Sequence, residues 1–179
     1  MLLLHTCCAP CSAAIIEKLL SLEERFALFF FNPNIFPQDE YLLRRDECMR
    51  YAAGLGIEMI DGEYDHDFWL SFVAGHETEP ERGSRCLLCF KLRLLRVAQL
   101  AKERGFTHFA TTLAASRWKS LEQIAKAGHW AASETGDVLF LEKNWRKGGL
   151  EERRRSLLLE NAFYNQNWCG CEFSRRSGT

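Results

Sequence analysis

The sequence predicts an α/β fold: a single domain over residues 1–179, with a mainly parallel sheet covered by helices on both faces and a short C-terminal tail. Three observations lead there. Short apolar runs alternate with longer amphipathic segments along the whole chain. Turn and helix-stop residues separate them, as at Asn32-Pro33-Asn34, Gly54, Gly105 and Gly136. The 179 residues, 47% of them hydrophobic, suffice for one ordinary core.

Leu2 to Leu4 read as a buried strand, and Ser12 to Leu20 as a helix with Ala13, Ile16, Leu19 and Leu20 on one side. Phe26 to Phe31 form a second strand, closed by Asn32-Pro33-Asn34. A helix is predicted from Asp39 to Ala53, a third strand from Ile57 to Ile60, and a further helix from Phe68 to Val73. The polar stretch Gly75 to Arg85 is a loop. A strong helix then runs from Leu87 to Arg104 and stops at Gly105. Phe109 to Leu113 make strand four, Ser120 to Ser133 a helix, Val138 to Leu141 strand five, and Glu151 to Tyr164 the last helix. In such a sheet ligands bind beyond the carboxyl ends of the strands. Cys7 to Cys11, Asn32 to Asn34, Asp61 to Tyr64 and Ala114 to Ser116 should therefore converge on one rim.

A formal net charge of −1 gives no global attraction to nucleic acid or acidic membranes, so a polyanion would have to meet a local patch. The N-terminus has no basic leader, His5 interrupts its apolar start, and no stretch reaches the ~18 apolar residues of a membrane span. The cytoplasm is the expected compartment. In that reducing setting eight cysteines are metal ligands or redox groups sooner than structural disulfides.

The cysteines form three clusters, with Cys48 apart on a helix in a packing role. Cys8 and Cys11 share with Cys86 and Cys89 a spacing of three at a helix start. There both thiols can face one side, and the amide dipoles favour thiolate. Two such pairs suit a soft centre: zinc, copper(I) or iron–sulfur. Adjacent Cys7 and Cys8 favour a cubane, whose iron corners are spread apart, with a four-cysteine zinc site as the alternative. Cys11 is a second metal ligand, a thiol catalyst or a packing residue. A bond between Cys169 and Cys171 would close a small strained ring, suited to redox exchange, with Gly170 easing the backbone.

Several segments together resemble epoxyqueuosine reductases of the QueH class. They are Leu4-His5-Thr6-Cys7-Cys8-Ala9-Pro10-Cys11-Ser12, Phe31-Asn32-Pro33-Asn34-Ile35, and Glu79 through Phe90 with its Cys86-Leu87-Leu88-Cys89. Thr111-Thr112-Leu113 and Gln166-Asn167-Trp168-Cys169-Gly170-Cys171 complete the set. The resemblance implies reduction of the epoxide of epoxyqueuosine at the tRNA wobble position, the last step of queuosine formation. It also implies a [4Fe–4S] cluster on Cys7, Cys8, Cys86 and Cys89, and a redox-active disulfide between Cys169 and Cys171. A second, adjacent iron would be served by Cys11 with a carboxylate, Asp65 or Glu47. An external electron donor is required, and no membrane. Arg117 in place of a proline, and Asn144-Trp145 in place of Asp-Phe, depart from the family's pattern and bear on substrate contacts.

For the RNA, Arg146, Lys147, Arg153, Arg154, Arg155, Arg175 and Arg176 are candidate backbone contacts, each equally a solvated residue. Tyr64, Trp118, Trp145 and Trp168 are candidate stacking platforms, or core aromatics. Lys119 would bind phosphate or cap a turn, and His5 would complete the core. Two other functions fit parts of the pattern. The Rossmann-like, HUP or PP-loop-like architecture suits an ATP-dependent tRNA-modifying enzyme, but the loop after strand one, Thr6 to Ser12, has no glycine for a phosphate. A non-catalytic zinc-binding RNA module would use the same cysteines without redox work.

Overall fold

Strand β1 (Leu2–Thr6) is wholly buried, and its apolar run explains why: it takes parallel neighbours on both edges and helices on both faces. In the computed structural model, which describes residues 1–174, five parallel strands follow the order β3-β2-β1-β4-β5. The other strands are β2 (Phe26–Phe30), β3 (Met59–Asp61), β4 (His108–Thr111) and β5 (Leu139–Phe140). Register follows from the pairs Leu4↔Leu28 and Leu4↔Ala110 about the central strand. Arg175 and Arg176 lie outside the described residues.

The strand order reverses between β1 and β4, which opens the crevice that ligands use in doubly wound sheets. Helices α1 (Ala9–Ser21), α2 (Gln38–Gly54) and α6 (Leu150–Glu160) form one group, in which α1 packs against both others. Helices α4 (Ser84–Glu103) and α5 (Leu121–Thr135) pack together, with α3 (His66–Phe72) against α4. No helix among the described residues is long and apolar enough to cross a membrane.

Several boundaries differ from those expected, among them the last helix, which stops at Glu160 short of Tyr164, and three have a visible cause. Helix α1 begins at Ala9, because Pro10 stands in its first turn, where a missing N–H is harmless. Strand β4 stops at Thr111. Its side chain accepts from Leu113 N at 3.1 Å and caps a 3-10 turn, Thr112–Ala115. Helix α4 begins at Ser84, ahead of Leu87, because Glu79 takes the place of a cap. Its carboxylate accepts from Arg85 N at 3.2 Å and from the Ser84 hydroxyl, and it meets His76 Nδ1 at 2.8 Å. The Ser84 hydroxyl, then His76, hold that carboxyl down to about 2.

Core packing is tight under β5. A Cβ at Gly128 would sit 2.4–2.5 Å from the Phe140 ring, so α5 reaches the sheet only because residue 128 is glycine. Gly128→Ala is expected to destabilise the protein by about 1–3 kcal/mol in urea unfolding. Adding Phe140→Leu should recover part of that loss, and an additive double mutant would contradict the packing account.

Candidate metal centre

The chain passes from β1 to α1 through only two residues, Cys7 and Cys8, at the centre of the sheet's carboxyl edge. A short hydroxyl network fixes this turn. The Thr6 hydroxyl bonds that of Ser12, which donates to Cys8 O at 2.8 Å. Cys7 Sγ lies 3.9 Å from Cys8 Sγ and 3.8 Å from Thr112 Oγ1. The sulfurs of Cys7, Cys8 and Cys11 all lie within 4.8 Å of one another.

A cavity of about 710 Å³ opens beyond this turn. It is lined by Cys7, Cys8, Cys11, Cys86, Cys89, Cys169 and Cys171, every cysteine of the chain except Cys48. Cys86 and Cys89 come from the first turns of α4, as their spacing required. All eight cysteines are free thiols. Cys48 is buried beside Thr6, 4.0 Å from its hydroxyl, and burial pushes its thiol well up; it packs, as expected.

The tail supplies the cavity's lid, which sequence left unplaced. Gly170 has φ +98°, and a Cβ there would stand 2.7 Å from the Ile35 side chain. Gly170 O accepts from Phe36 N at 2.9 Å. Buried Arg44 pairs with Glu40 at 2.5 Å, donates to Trp168 O at 3.4 Å and lies 5.5 Å from the Trp168 ring centroid. His66 stacks in a column between Phe36 and Trp69, and Phe173 extends it. Nδ1 of His66 meets Pro33 O at 2.7 Å and Nε2 meets Glu172 at 2.8 Å.

The thiols are electrostatically unequal. Hydrogen bonds from Cys11 and Cys8 hold the Cys7 thiol well below its ordinary value, and Lys119 and Arg93 add to this against burial. Burial pushes Cys8 well up, and the bond to Cys7 takes Cys11 up to about 12. Burial also raises Cys86. A hydrogen bond from Cys171 holds the Cys169 thiol well down, helped by Lys119 and Ser174, whose hydroxyl lies 2.9 Å from the sulfur. Its partner Cys171 is correspondingly raised. Burial alone would lower Lys119, but Cys169, Cys7 and Cys11 hold its ammonium above the usual lysine value.

The counter-charge was missed by sequence reasoning. Arg93 is 3% exposed, donates to Asn32 Oδ1, and has Nη1 4.0 Å from Cys89 Sγ. Asn32 is itself anchored by Nδ2 donating to Thr6 O at 3.0 Å. The spacing of Cys86, Cys89 and Arg93 is that of one helix face, a signal available in the sequence. Burial, then Arg93, drives His5 down to about 3, so its ring is neutral. Nε2 donates to Phe31 O at 3.1 Å, and Nδ1 accepts from the Thr111 hydroxyl at 2.8 Å. Arg85, 1% exposed, gathers the loop before α4 by donating to the carbonyls of Glu77 at 2.6 Å and Glu79 at 2.5 Å.

Other expectations are redistributed. Asp61 to Tyr64 do not line the cavity. Gly62 packs 2.7 Å, by its Cβ position, from Phe30 O, and Tyr64 donates to Ile35 O at 2.8 Å as a prop. Asp65 caps α3 through Phe68 N, and Glu47 accepts from Tyr164 N, both at 2.8 Å. Neither lines the cavity, whereas Glu81 does. Trp145 is core, its Nε1 donating to Thr111 O at 3.1 Å. Arg153 ties α6 to Glu17 of α1 at 2.7 Å, and Arg155 pairs with Glu151. Arg154 also pairs with Glu151, yet lines the cavity with Trp118, Trp168 and Lys119. Lys147 is exposed.

The donor set fits a soft metal centre. Thiols crowd one cavity, two buried or half-buried cations offset their charge, and Asn34 Oδ1, Trp69 Nε1 and the Nε atoms of Arg85 and Arg93 are buried there without a protein partner. Those atoms mark polar positions that a bound group or substrate would satisfy.

Comparison with known proteins agrees. A family model described as epoxyqueuosine reductase QueH matches residues 2–177. The chain is similar to the epoxyqueuosine reductase QueH of Histophilus somni, 45% identical over 175 residues covering 98% of this chain and 72% of the relative. Similarity to that of Acinetobacter baylyi is 45% over 175 residues, covering 98% and 80%. To that of Thermotoga maritima it is 37% over 175 residues, covering 96% and 88%. These relatives favour neither the ATP-dependent nor the zinc-module alternative.

Gly170→Ala is expected to loosen the tail over the cavity, because the new methyl meets Ile35 at a backbone angle that L-residues avoid. In the metal-free protein, Cys89 should then alkylate severalfold faster with iodoacetamide. An unchanged rate would mean that the tail does not cover the cysteines in solution.

Proposed function

Since the chain belongs to the epoxyqueuosine reductase QueH family, we propose that its cavity holds a [4Fe–4S] cluster on Cys7, Cys8, Cys86 and Cys89, beside which the last step of tRNA queuosine formation takes place. The observation that carries this reading is the shared lining: two cysteine pairs far apart in sequence border one cavity at the sheet's switch point.

The family and the lining of one cavity by seven cysteines favour a polynuclear centre over a single zinc ion. Four thiolates at ~2.3 Å from one ion lie within about 4 Å of each other. Cys7, Cys8 and Cys11 approach that spacing, while among the described residues neither Cys86 nor Cys89 joins the set. The tight triad also supports a second iron beside the cluster, with Cys11 as its thiol and Glu81 the acidic residue on the wall. When bound, the iron centre supplies single-electron transfer and Lewis acidity toward the epoxide oxygen.

The substrate in this reading is a tRNA bearing epoxyqueuosine at the wobble position, its base splayed out of the anticodon loop into the cavity. Converting the epoxide to the cyclopentene breaks two C–O bonds, forms the second C–C bond, and takes up two electrons and two protons as the oxygen leaves in water. Cys169 and Cys171 match the electron count: a thiolate and a thiol oxidised to their disulfide yield two electrons and one proton, and the second proton comes from solvent. Cys169, held toward thiolate, and Cys171, held as thiol, form an asymmetric pair of the kind that exchanges readily. An external donor returns the pair to the dithiol. Arg93 and Lys119 hold positive charge against the thiolates, and the tail limits access of water. The cytoplasm is the compartment this chemistry suits.

Under anaerobic turnover with epoxyqueuosine-containing tRNA, Cys171→Ser is expected to cut multiple-turnover rate at least tenfold while iron content stays at the wild-type level. Wild-type turnover in that variant would remove the relay role. Cys48→Ser should leave turnover within about twofold, because Cys48 only packs.

A further inference from the structure

Behind the loop that carries Ser116 to Lys119 lies a second recess, about 510 Å³, between that loop, the start of α5 and Arg82. Arg82, Lys119, Lys126 and Arg146 line it, against a single acidic residue, Glu122. On a chain of net charge −1 this is a concentrated positive patch. Its guanidinium groups are fixed without being neutralised. Arg82 donates to Trp118 O at 3.0 Å and Arg117 O at 2.9 Å, and Arg146 donates to Lys119 O at 2.6 Å and to Ser116 O. Among the described residues, all guanidinium hydrogen bonds of these two arginines go to main-chain carbonyls and none to a carboxylate. Burial, then the charge of Arg82, lowers Arg146, so the two repel. Folding has thus assembled like charges with rigid donors, an arrangement whose cost an anion relieves.

Arg82, Lys119, Ser120 and Gln123 line both the recess and the cysteine cavity, so the two spaces share a wall. Ser120 Oγ accepts from Gln123 N at 3.2 Å, which leaves its hydroxyl proton to donate. Gln123 Nε2 clamps the carbonyls of Arg82 at 2.8 Å and Gly83 at 3.1 Å, fixing that wall just ahead of Cys86.

We infer that this recess binds a phosphodiester of the RNA substrate, flanking the nucleotide whose base enters the cysteine cavity. The inference rests on the tRNA reading above. It assigns register to Arg82, Lys126 and Arg146, with Lys119 on the shared wall serving the thiolates, and chemistry to the cavity beyond that wall. A base extruded into the cavity keeps its own phosphates beside its sugar, where the shared wall would meet them.

The test is the salt dependence of binding, read by fluorescence anisotropy with an unmodified anticodon stem–loop RNA and the full anaerobically purified chain. Lys126 is exposed, so Lys126→Gln carries little folding risk; Arg82→Gln is the second variant. Each should flatten the slope of log K against log salt by ~0.7, about fivefold in affinity at ~0.1 M salt. Lys18→Gln, on α1, should do neither. Wild-type slopes in both recess variants, with the native protein still binding, would overturn the phosphate site and leave the tRNA reading standing. Failure of the native protein to bind the RNA at all would sink both. Loss of inorganic phosphate binding in the variants with RNA binding intact would mark a site for a soluble anion, and would also overturn the proposal.

Discussion

The central position of β1 is the constraint on which the cysteine cavity depends. Leu2 to Thr6 are buried, Leu2 to His5 are paired on both edges and Thr6 on one, so the strand's end cannot shift without breaking two ladders. The next two residues are cysteines, and helix α1 starts immediately after them. The sulfurs of Cys7 and Cys8 therefore inherit the rigidity of the sheet instead of the freedom of a loop. Placement of reactive groups to within a fraction of an ångström is what a metal centre requires, and here it comes from backbone pairing.

The rest of the cavity is arranged around that fixed point by charge. Arg93 is buried beside Cys89 and held by Asn32, which is anchored in turn to the end of β1. Burying a guanidinium without a counter-charge costs several kcal/mol. Beside a set of thiolates that cost becomes an attraction, and each charge justifies the other. Burial, and then the same positive charge, leaves His5 neutral. The tail closes the arrangement, clasped by Arg44, the His66 column and the glycine turn at residue 170.

Much of this was legible in the chain. Apolar runs gave the strands, and the Cys-x-x-Cys spacing put Cys86 and Cys89 on one side of a helix start. Helix boundaries slipped where side chains cap at a distance, as Glu79 does for α4, since a loop residue five positions ahead of Ser84 carries no periodic signal. No local pattern singled out a carboxylate for a second iron, and neither Asp65 nor Glu47 lines the cavity. Asp65 turns back to cap α3, and Glu47 reaches the far end of α6. Arg93 was missed because an arginine in a strongly amphipathic helix reads as a solvated residue. The clasp on the tail joins residues more than a hundred positions apart, and no local pattern encodes it.

Cysteines from both sides of the cavity are proposed to hold one polynuclear iron centre. Mössbauer spectroscopy of iron-57-enriched protein, purified without oxygen, with acid-labile sulfide quantified in parallel, tests it most directly. Expected are about four irons and four sulfides per chain in a cubane signature, with any further iron resolved as a separate mononuclear component, and collapse of the cubane signal in Cys89→Ser. A colourless protein carrying stoichiometric zinc and no sulfide would contradict it.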